Sequence, residues 1–275
     1  MLLGIDIGGT TINMGLVAGS EIVAKKTVPS FEKEWNKQQT LDYLCDKIAM
    51  VITPEVEHIG IGVPTLVDPA KGIAYQAANI PSWDEVHIKE AVEKRFNVPV
   101  SVNNDSNCFA LGAVAKLGIK ERIVVGITLG TGIGVGVIVD GKLLDGNHCG
   151  VGEIGSLPYN GCDYEEFCSK KFFTARGLEG KSAQEAAEGG DSAMVEVFNE
   201  FGRHLGEFLS VVMYAYDADC IVFGGGFAYG HPLFEESMKK ALAARYPYTK
   251  ALEGLKIDYL PQGDIPVLGA SQLKN

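Results

Sequence analysis

The feature that most limits what this chain can fold into is a unit that occurs twice. Leu2 to Gly19 reads L-L-G-I-D-I-G-G-T-T-I-N-M-G-L-V-A-G: an apolar run carries one carboxylate, Asp6, into a Gly8-Gly9-Thr10-Thr11 turn, and a second apolar, alternating run follows. The layout returns 122 positions later as G-I-T-L-G-T-G-I-G-V-G-V-I-V-D-G, from Gly126 to Gly141. At that offset Gly4, Ile5, Gly8, Val17 and Gly19 match Gly126, Ile127, Gly130, Val139 and Gly141 without a gap. A period this long excludes a solenoid. It predicts two related lobes facing one another, each offering a glycine-rich turn to something between them. A carboxylate inside an apolar strand is costly unless a charge or hydrogen bond meets it there, which marks Asp6 as a candidate functional group.

Periodicity fills in the rest. Strands are expected at about 2–7, 12–18 and 21–28, then a helix over Asn36 to Thr53, where Leu41, Leu44, Cys45, Ile48 and Ile52 follow the i, i+3, i+4 rule. A buried strand at His58–Val63, a loop through Asn79, Pro81 and Trp83, a helix at His87–Phe96 and a short strand at Val100–Val102 come next. Helices alternating with strands after a meander indicate an α/β lobe. The polar run Asn103-Asn104-Asp105-Ser106-Asn107 precedes a helix expected from Cys108, and the lobe boundary is placed there: 1–104, with a terminal helix at 266–275 packing back on it, and 105–265. The second lobe holds the repeat hairpin, a glycine-rich loop (146–161), helices at 164–174, 182–188, 191–216 and 232–245, and strands at 220–223 and 256–260.

Charge narrows the function classes. With 24 basic and 35 acidic residues the net charge is −11, without a basic stripe, which argues against a nucleic-acid surface. An acidic protein still binds a nucleotide when Mg²⁺ offsets the phosphate charge. Six cysteines without C-x-x-C spacing read as reduced thiols, so a cytoplasmic protein is expected. Ile123 to Val139 runs 17 residues without a charge, the low end of the spanning range of about 17–25. Its five glycines and alternating valines make a poor helix and a good hairpin, so no membrane span is expected.

Each candidate site residue has a structural alternative. The glycine turns serve as plain hairpin turns, or their successive N–H groups form an anion-binding concavity, with Thr10, Thr11, Thr128 and Thr131 adding hydroxyls. Asp105 opens a helix, where Asp is a good cap, but it also lies past the carboxyl end of a strand, where α/β folds place ligands. Glu165 and Glu166 favour a helix N-terminus on electrostatic grounds alone, and Glu153 among glycines reads equally as an exposed loop acid. His148, Cys149, Cys162 and Cys168 are metal-ligand types, in spacings that fit no standard zinc pattern. No Walker, G-x-S-x-G or H-E-x-x-H pattern is present.

Taken together, D-I-G-G-T (6–10), N-N-D-S-N (103–107), L-G-T-G-I-G (129–134), G-E-I-G (152–155) and F-G-G-G (223–226) resemble, in that order, the motifs of the ROK-family sugar kinases. The G-V-P-T-x-V-D segment (62–68) and the A-N-I-P-S-W loop (78–83) look like family elements as well. The resemblance implies a two-lobed α/β fold of the actin-like ATPase (ribonuclease H-like) type, with a duplicated core and a cleft between lobes. It implies ATP-dependent phosphorylation of a hexose hydroxyl, glucose or a related amino sugar at the 6-OH, by a homodimeric enzyme.

Residue by residue, Asp105 matches the general base, and Asn79, Asn104, Glu153 and Glu165 match sugar ligands. Asp6 would position Mg²⁺ through ATP. Gly8, Gly9, Thr10 and Thr11, with Gly130, Thr131 and Gly132, would hold the polyphosphate, and Gly225 and Gly226 would lie near the adenosine. Three departures are visible. Ser156 stands where the family reads a histidine that contacts sugar and zinc. Of the zinc-binding C-x-C-G-x-x-G-C cluster only Gly161-Cys162 remains nearby, and Thr11 replaces a common lysine. Zinc ligands lost together imply a zinc-free variant. The alternative function is a non-catalytic sugar- or nucleotide-sensing regulator on the same fold.

Overall fold

The computed structural model describes residues 1–77, 80–146, 150–261 and 263–273. Asn79, His148 and Cys149, all considered above, lie outside the described residues. The chain divides into two compact units, one from 1–120, 143–151 and the C-terminal residues from 263, the other from 121–142 and 152–262.

In the first unit β1 (Leu2–Ile7), β2 (Thr11–Ala18) and β3 (Glu21–Pro29) form an antiparallel meander. Helix α1 (Lys37–Ala49) starts at a capping box: Asn36 accepts from the Gln39 N–H at 3.0 Å, and Gln39 accepts from the Asn36 N–H at 2.9 Å. Strand β4 (His58–Val63) pairs parallel to β1. Between β4 and the next helix, where the sequence indicated a loop through Asn79, Pro81 and Trp83, lies a small antiparallel sheet of β5 (Leu66–Asp68), β6 (Ile73–Tyr75) and β7 (Glu85–His87). Three-residue strands are too short to show an alternating pattern. Helix α2 (Ile88–Phe96) ends at left-handed Asn97, and β8 (Val100–Asn104) adds parallel to β4, giving the order β3-β2-β1-β4-β8.

Helix α3 spans Asp105–Leu117, three residues earlier than its apolar pattern indicated. The polar run is therefore its first turn, because Asn104 accepts from the Ser106 N–H at 2.9 Å and caps it. This helix belongs with the first unit, so the division falls after it and not at 104/105. The reason is packing: the closing helix Ile265–Ser271 lies against α3, β1 and β4. A side chain on Gly4 or Gly60 would strike the backbone of that helix at Val267 or Ala270.

The second unit repeats the plan. Strands β9 (Ile123–Leu129) and β10 (Ile133–Val139) form the repeat hairpin, β11 (Lys142–Leu143) follows it, and β12 (Pro158–Tyr159) pairs with β13 (Cys162–Asp163). The helix expected over 164–174 is two short ones, α4 (Tyr164–Phe167) and α5 (Lys170–Thr174). Ser169 breaks it, because its side chain accepts from the Lys171 N–H and caps the second piece. Helices α6 (Gly180–Glu188) and α7 (Ser192–Tyr216) follow, and α7 buries Phe198, Phe201, Leu205, Phe208 and Val212. Strand β14 (Cys220–Gly224), helices α8 (His231–Arg245) and α9 (Thr249–Gly254), and β15 (Lys256–Tyr259) complete the unit. Its main strands run β10-β9-β14-β15, with β14 parallel to both β9 and β15.

Candidate active site

In the first unit the candidate groups gather where β1, β4 and β8 end. Asp6 pairs across β1 with Asn13 of β2 and with Gly62 of β4. On β8, Asn103 and Asn104 stand beside Gly62 and Val63. Gly62 has to be small, since a Cβ there would meet Cys108 Sγ at 3.0 Å and approach the Asp105 Cα. The Asp6 carboxyl is pushed from 3.8 up to about 7, first by loss of water around it and then by the negative charge of Asp105, against a hydrogen bond from Asn13 that pulls it down. Asp6 and Asp105 are thus one electrostatic pair. Burial and the charges of Asp6, Asp105 and Asp145 raise the Cys108 thiol well above its ordinary range, so it stays neutral.

Asn104, not Asp105, caps α3, and its amide donates to the Thr65 carbonyl at 3.2 Å. Asp105 also accepts from the Ser106 N–H, at 2.8 Å. An amide has two donors and two acceptor lone pairs, so Asn104 keeps one of each for a ligand. Buried Asn103 donates to Asp145 at 2.8 Å and accepts from the Asn104 N–H and from Asn107, both at 2.8 Å. Asn103 and Asn107 read in the sequence only as members of the polar motif, and Asp145 carries no site role there. The i, i+4 spacing of the two asparagines was the one available signal.

The first glycine turn is closed by the Gly8 N–H donating to the Thr11 carbonyl at 2.9 Å. The end of β3 braces it: the Ser30 N–H donates to Thr10 O at 2.9 Å, and the Ser30 hydroxyl to Gly8 O at 2.7 Å. Gly9 and Thr10 are left exposed at its tip.

In the second unit Gly130, Thr131 and Gly132 form the matching turn, with the Gly130 N–H donating to Gly132 O at 3.0 Å and Thr131 exposed. Its brace comes from α4 and α5. The Lys170 N–H donates to Gly130 O at 2.9 Å, and Glu165 Oε2 accepts from the Ile133 N–H at 3.3 Å. Lys171 bridges Glu165 and Glu166 at 2.8 and 2.9 Å. Glu153 opens a single 3₁₀ turn, Glu153–Ser156, and its carboxyl is raised by partial burial and then by the charge of Glu165. The structure therefore brings Gly130–Gly132, Glu153 and Glu165 into one cluster. Gly225, at a positive φ of 81°, and Gly226 follow β14, and a Cβ on Gly225 would strike Leu129, the last residue of β9.

In the same unit Tyr159 stacks on Tyr164 with ring centroids 4.2 Å apart, and its hydroxyl meets His204 Nδ1 of α7 at 2.9 Å. Burial pushes that phenol up to about 12. Among the described residues no group of three or more His, Cys, Asp or Glu is arranged to hold a metal ion, and no helix is long and apolar enough to cross a membrane.

Two units, each an antiparallel hairpin extended by parallel strands and each carrying a glycine turn, make this an α/β protein of the actin-like ATPase fold. The crystal structure of a ROK family glucokinase from Streptomyces griseus, in complex with glucose and AMPPNP, matches with a TM-score of 0.82 at 26% identity, covering 98% of each chain. The profile of the ROK family matches residues 2–255, and the chain belongs to that family. A glucokinase of Streptomyces coelicolor is 30% identical over 284 residues, 88% of this chain and 86% of its own. An N-acetyl-D-glucosamine kinase of Aliivibrio salmonicida is 28% identical over 278 residues, covering 87% and 89%.

Proposed function

We propose that this protein transfers a phosphoryl group from ATP to a sugar hydroxyl, with a hexose or amino sugar as acceptor and the 6-hydroxyl as the target. The sugar-kinase relatives support the reaction class. The observation that carries it is the Asp6–Asp105 pair, in which burial first and the charge of Asp105 second hold a proton on Asp6 to about pH 7. Groups that must exchange a proton with an alcohol work best when such a balance lies near the operating pH.

The same pair fits a divalent cation. Mg²⁺ takes oxygen ligands and commonly one or two carboxylates, and a cation near Asp6 would offset the burial and the Asp105 charge that together raise its pKa. When bound, Mg²⁺ and ATP supply the transferable phosphoryl group and offset the charge that builds on it. The chain does the positioning. Asp105 orients the acceptor hydroxyl and takes its proton as the new bond forms. Asn104, Glu153, Glu165 and Asn79 hold the other hydroxyls. The turns Gly8–Thr11 and Gly130–Gly132 grip the polyphosphate with the N–H groups not spent on the closing bonds of Gly8 and Gly130, and Gly225 and Gly226 lie near the adenosine. A homodimer in the cytoplasm is the setting that the family resemblance implies, and sedimentation velocity tests the dimer.

The deciding experiment is a coupled ADP-release assay with glucose, mannose, glucosamine and N-acetylglucosamine. Turnover is expected with at least one. Heat stabilisation by a sugar without any turnover would favour the non-catalytic regulator.

A further inference from the structure

We propose that Lys171 is the positioning residue that fixes Glu165 for the acceptor and so sets the affinity for the sugar. This rests on the kinase reading, in which Glu165 is a sugar ligand. The geometry holds Glu165 at both oxygens. Lys171 Nζ donates to Oε1 at 2.8 Å, while Oε2 accepts from the Ile133 N–H at 3.3 Å. Each carboxylate oxygen accepts from two directions, so each keeps one for a sugar hydroxyl.

The backbone around the pair is equally fixed. Ser169 is fully buried, and its hydroxyl donates to the Glu165 carbonyl at 2.7 Å and accepts from the Lys171 N–H at 3.2 Å. The Lys170 N–H donates to Gly130 O at 2.9 Å, which ties residues 165–171 to the glycine turn. Glu166 holds the ammonium from its other side at 2.9 Å. Without that ammonium Glu165 would face the like charges of Glu153 and Glu166 with its Oε1 released. A free carboxylate samples several rotamers, and a bound sugar would then have to order it.

The sequence alone does not reveal this role, because Lys171 sits six residues from Glu165 across a helix break, outside the i, i+4 relation.

The test is steady-state kinetics at saturating ATP, with glucose as acceptor or with the fastest substrate among the four sugars above. Removing one charge-assisted hydrogen bond that orders a ligand carboxylate costs roughly a factor of ten. Lys171→Met is therefore expected to raise the sugar KM about tenfold, with kcat and the ATP KM each within about threefold. Lys171→Arg, whose planar fork reaches both carboxylates, should stay within about threefold of wild type. In a Glu165→Gln background, adding Lys171→Met should change KM by less than about twofold, since the lysine would have no carboxylate left to position.

An unmoved KM in Lys171→Met, or losses that multiply in the double variant, overturns the proposal. Should the methionine variant melt at the assay temperature, Lys171→Gln, which keeps a polar side chain but removes the ammonium charge, carries the same expectation. Absence of turnover by the wild type on every sugar sinks the kinase reading and this inference with it. Wild-type turnover with unchanged Lys171→Met kinetics sinks this inference alone.

Discussion

The hairpins of the two units start from the same pattern and differ in what they carry. In the first, the position before the turn is Asp6, partnered across the strands by Asn13 and Gly62. In the second, the matching residue is Thr128, partnered by Gly134 and Gly224. The first turn is braced by backbone and by the hydroxyl of Ser30. The second is braced by a charged side chain, Glu165, which Lys171 in turn holds. One duplicated scaffold thus has a buried acid, Asp6, raised to about 7 beside Asp105 in one copy and a set of pinned carboxylates in the other. The division teaches where each task belongs on the proposed reading: proton chemistry with the first unit, and the lysine-held acid for the acceptor with the second.

The sharpest way to break that comparison is to remove the base. Asp105→Asn is expected to lower kcat by about 10²–10⁴, with sugar affinity by calorimetry within a few-fold of wild type. A loss seen mainly in affinity would erase the division. Next comes the second turn. A Cβ on Gly132 would collide with Glu165, while one on Gly130 meets nothing within 4 Å. Gly132→Ala is expected to lower kcat/KM by about 10–100-fold, the scale of a misplaced binding group, and Gly254→Ala, where a Cβ also meets nothing and which lies outside the proposed site, by less than about threefold. Equal effects would mean that the Glu165 contact does not matter.

The smallest effect concerns stability. The folded protein keeps a proton on Asp6 up to about pH 7, whereas the unfolded chain releases it near 3.8. Between those values the folded state binds more protons, so stability falls as pH rises through the window. Asp6→Asn removes this penalty. Without Mg²⁺ its Tm should exceed that of the wild type by about 2–6 °C at pH 8 and match it at pH 4. A Tm difference independent of pH would show that Asp6 does not titrate in this range.

Much of this was legible in the residues, for identifiable reasons. Strands β1, β2, β4, β9 and β10 announced themselves because buried strands need apolar residues at short period. The α1 boundary was marked by Asn36, a side chain that closes its own cap. What escaped were structures made by contacts distant in sequence or too short for a pattern: the β5-β6-β7 sheet, the break at Ser169, and the first turn of α3 hidden in a polar run.

The repeat itself is subtler in three dimensions. A gapless offset matches Val17 with Val139, yet Val17 pairs with Leu2, and Val139 with Ile123 rather than with Val124, the match of Leu2. The second hairpin closes over three residues where the first needs four, so its register slips by one. Loop length sets hairpin register, and no count of matched residues contains it.

The sequence by itself determined the duplication, the two glycine turns and the residue types of the site, since each is a local demand of backbone or solvation. Tertiary structure alone decided that α3 belongs with the first unit, that Asp6 and Asp105 share a charge environment, and that Lys171 pairs with Glu165. Those outcomes depend on distances between groups far apart along the chain, and electrostatic coupling falls with distance in space whatever the separation in sequence.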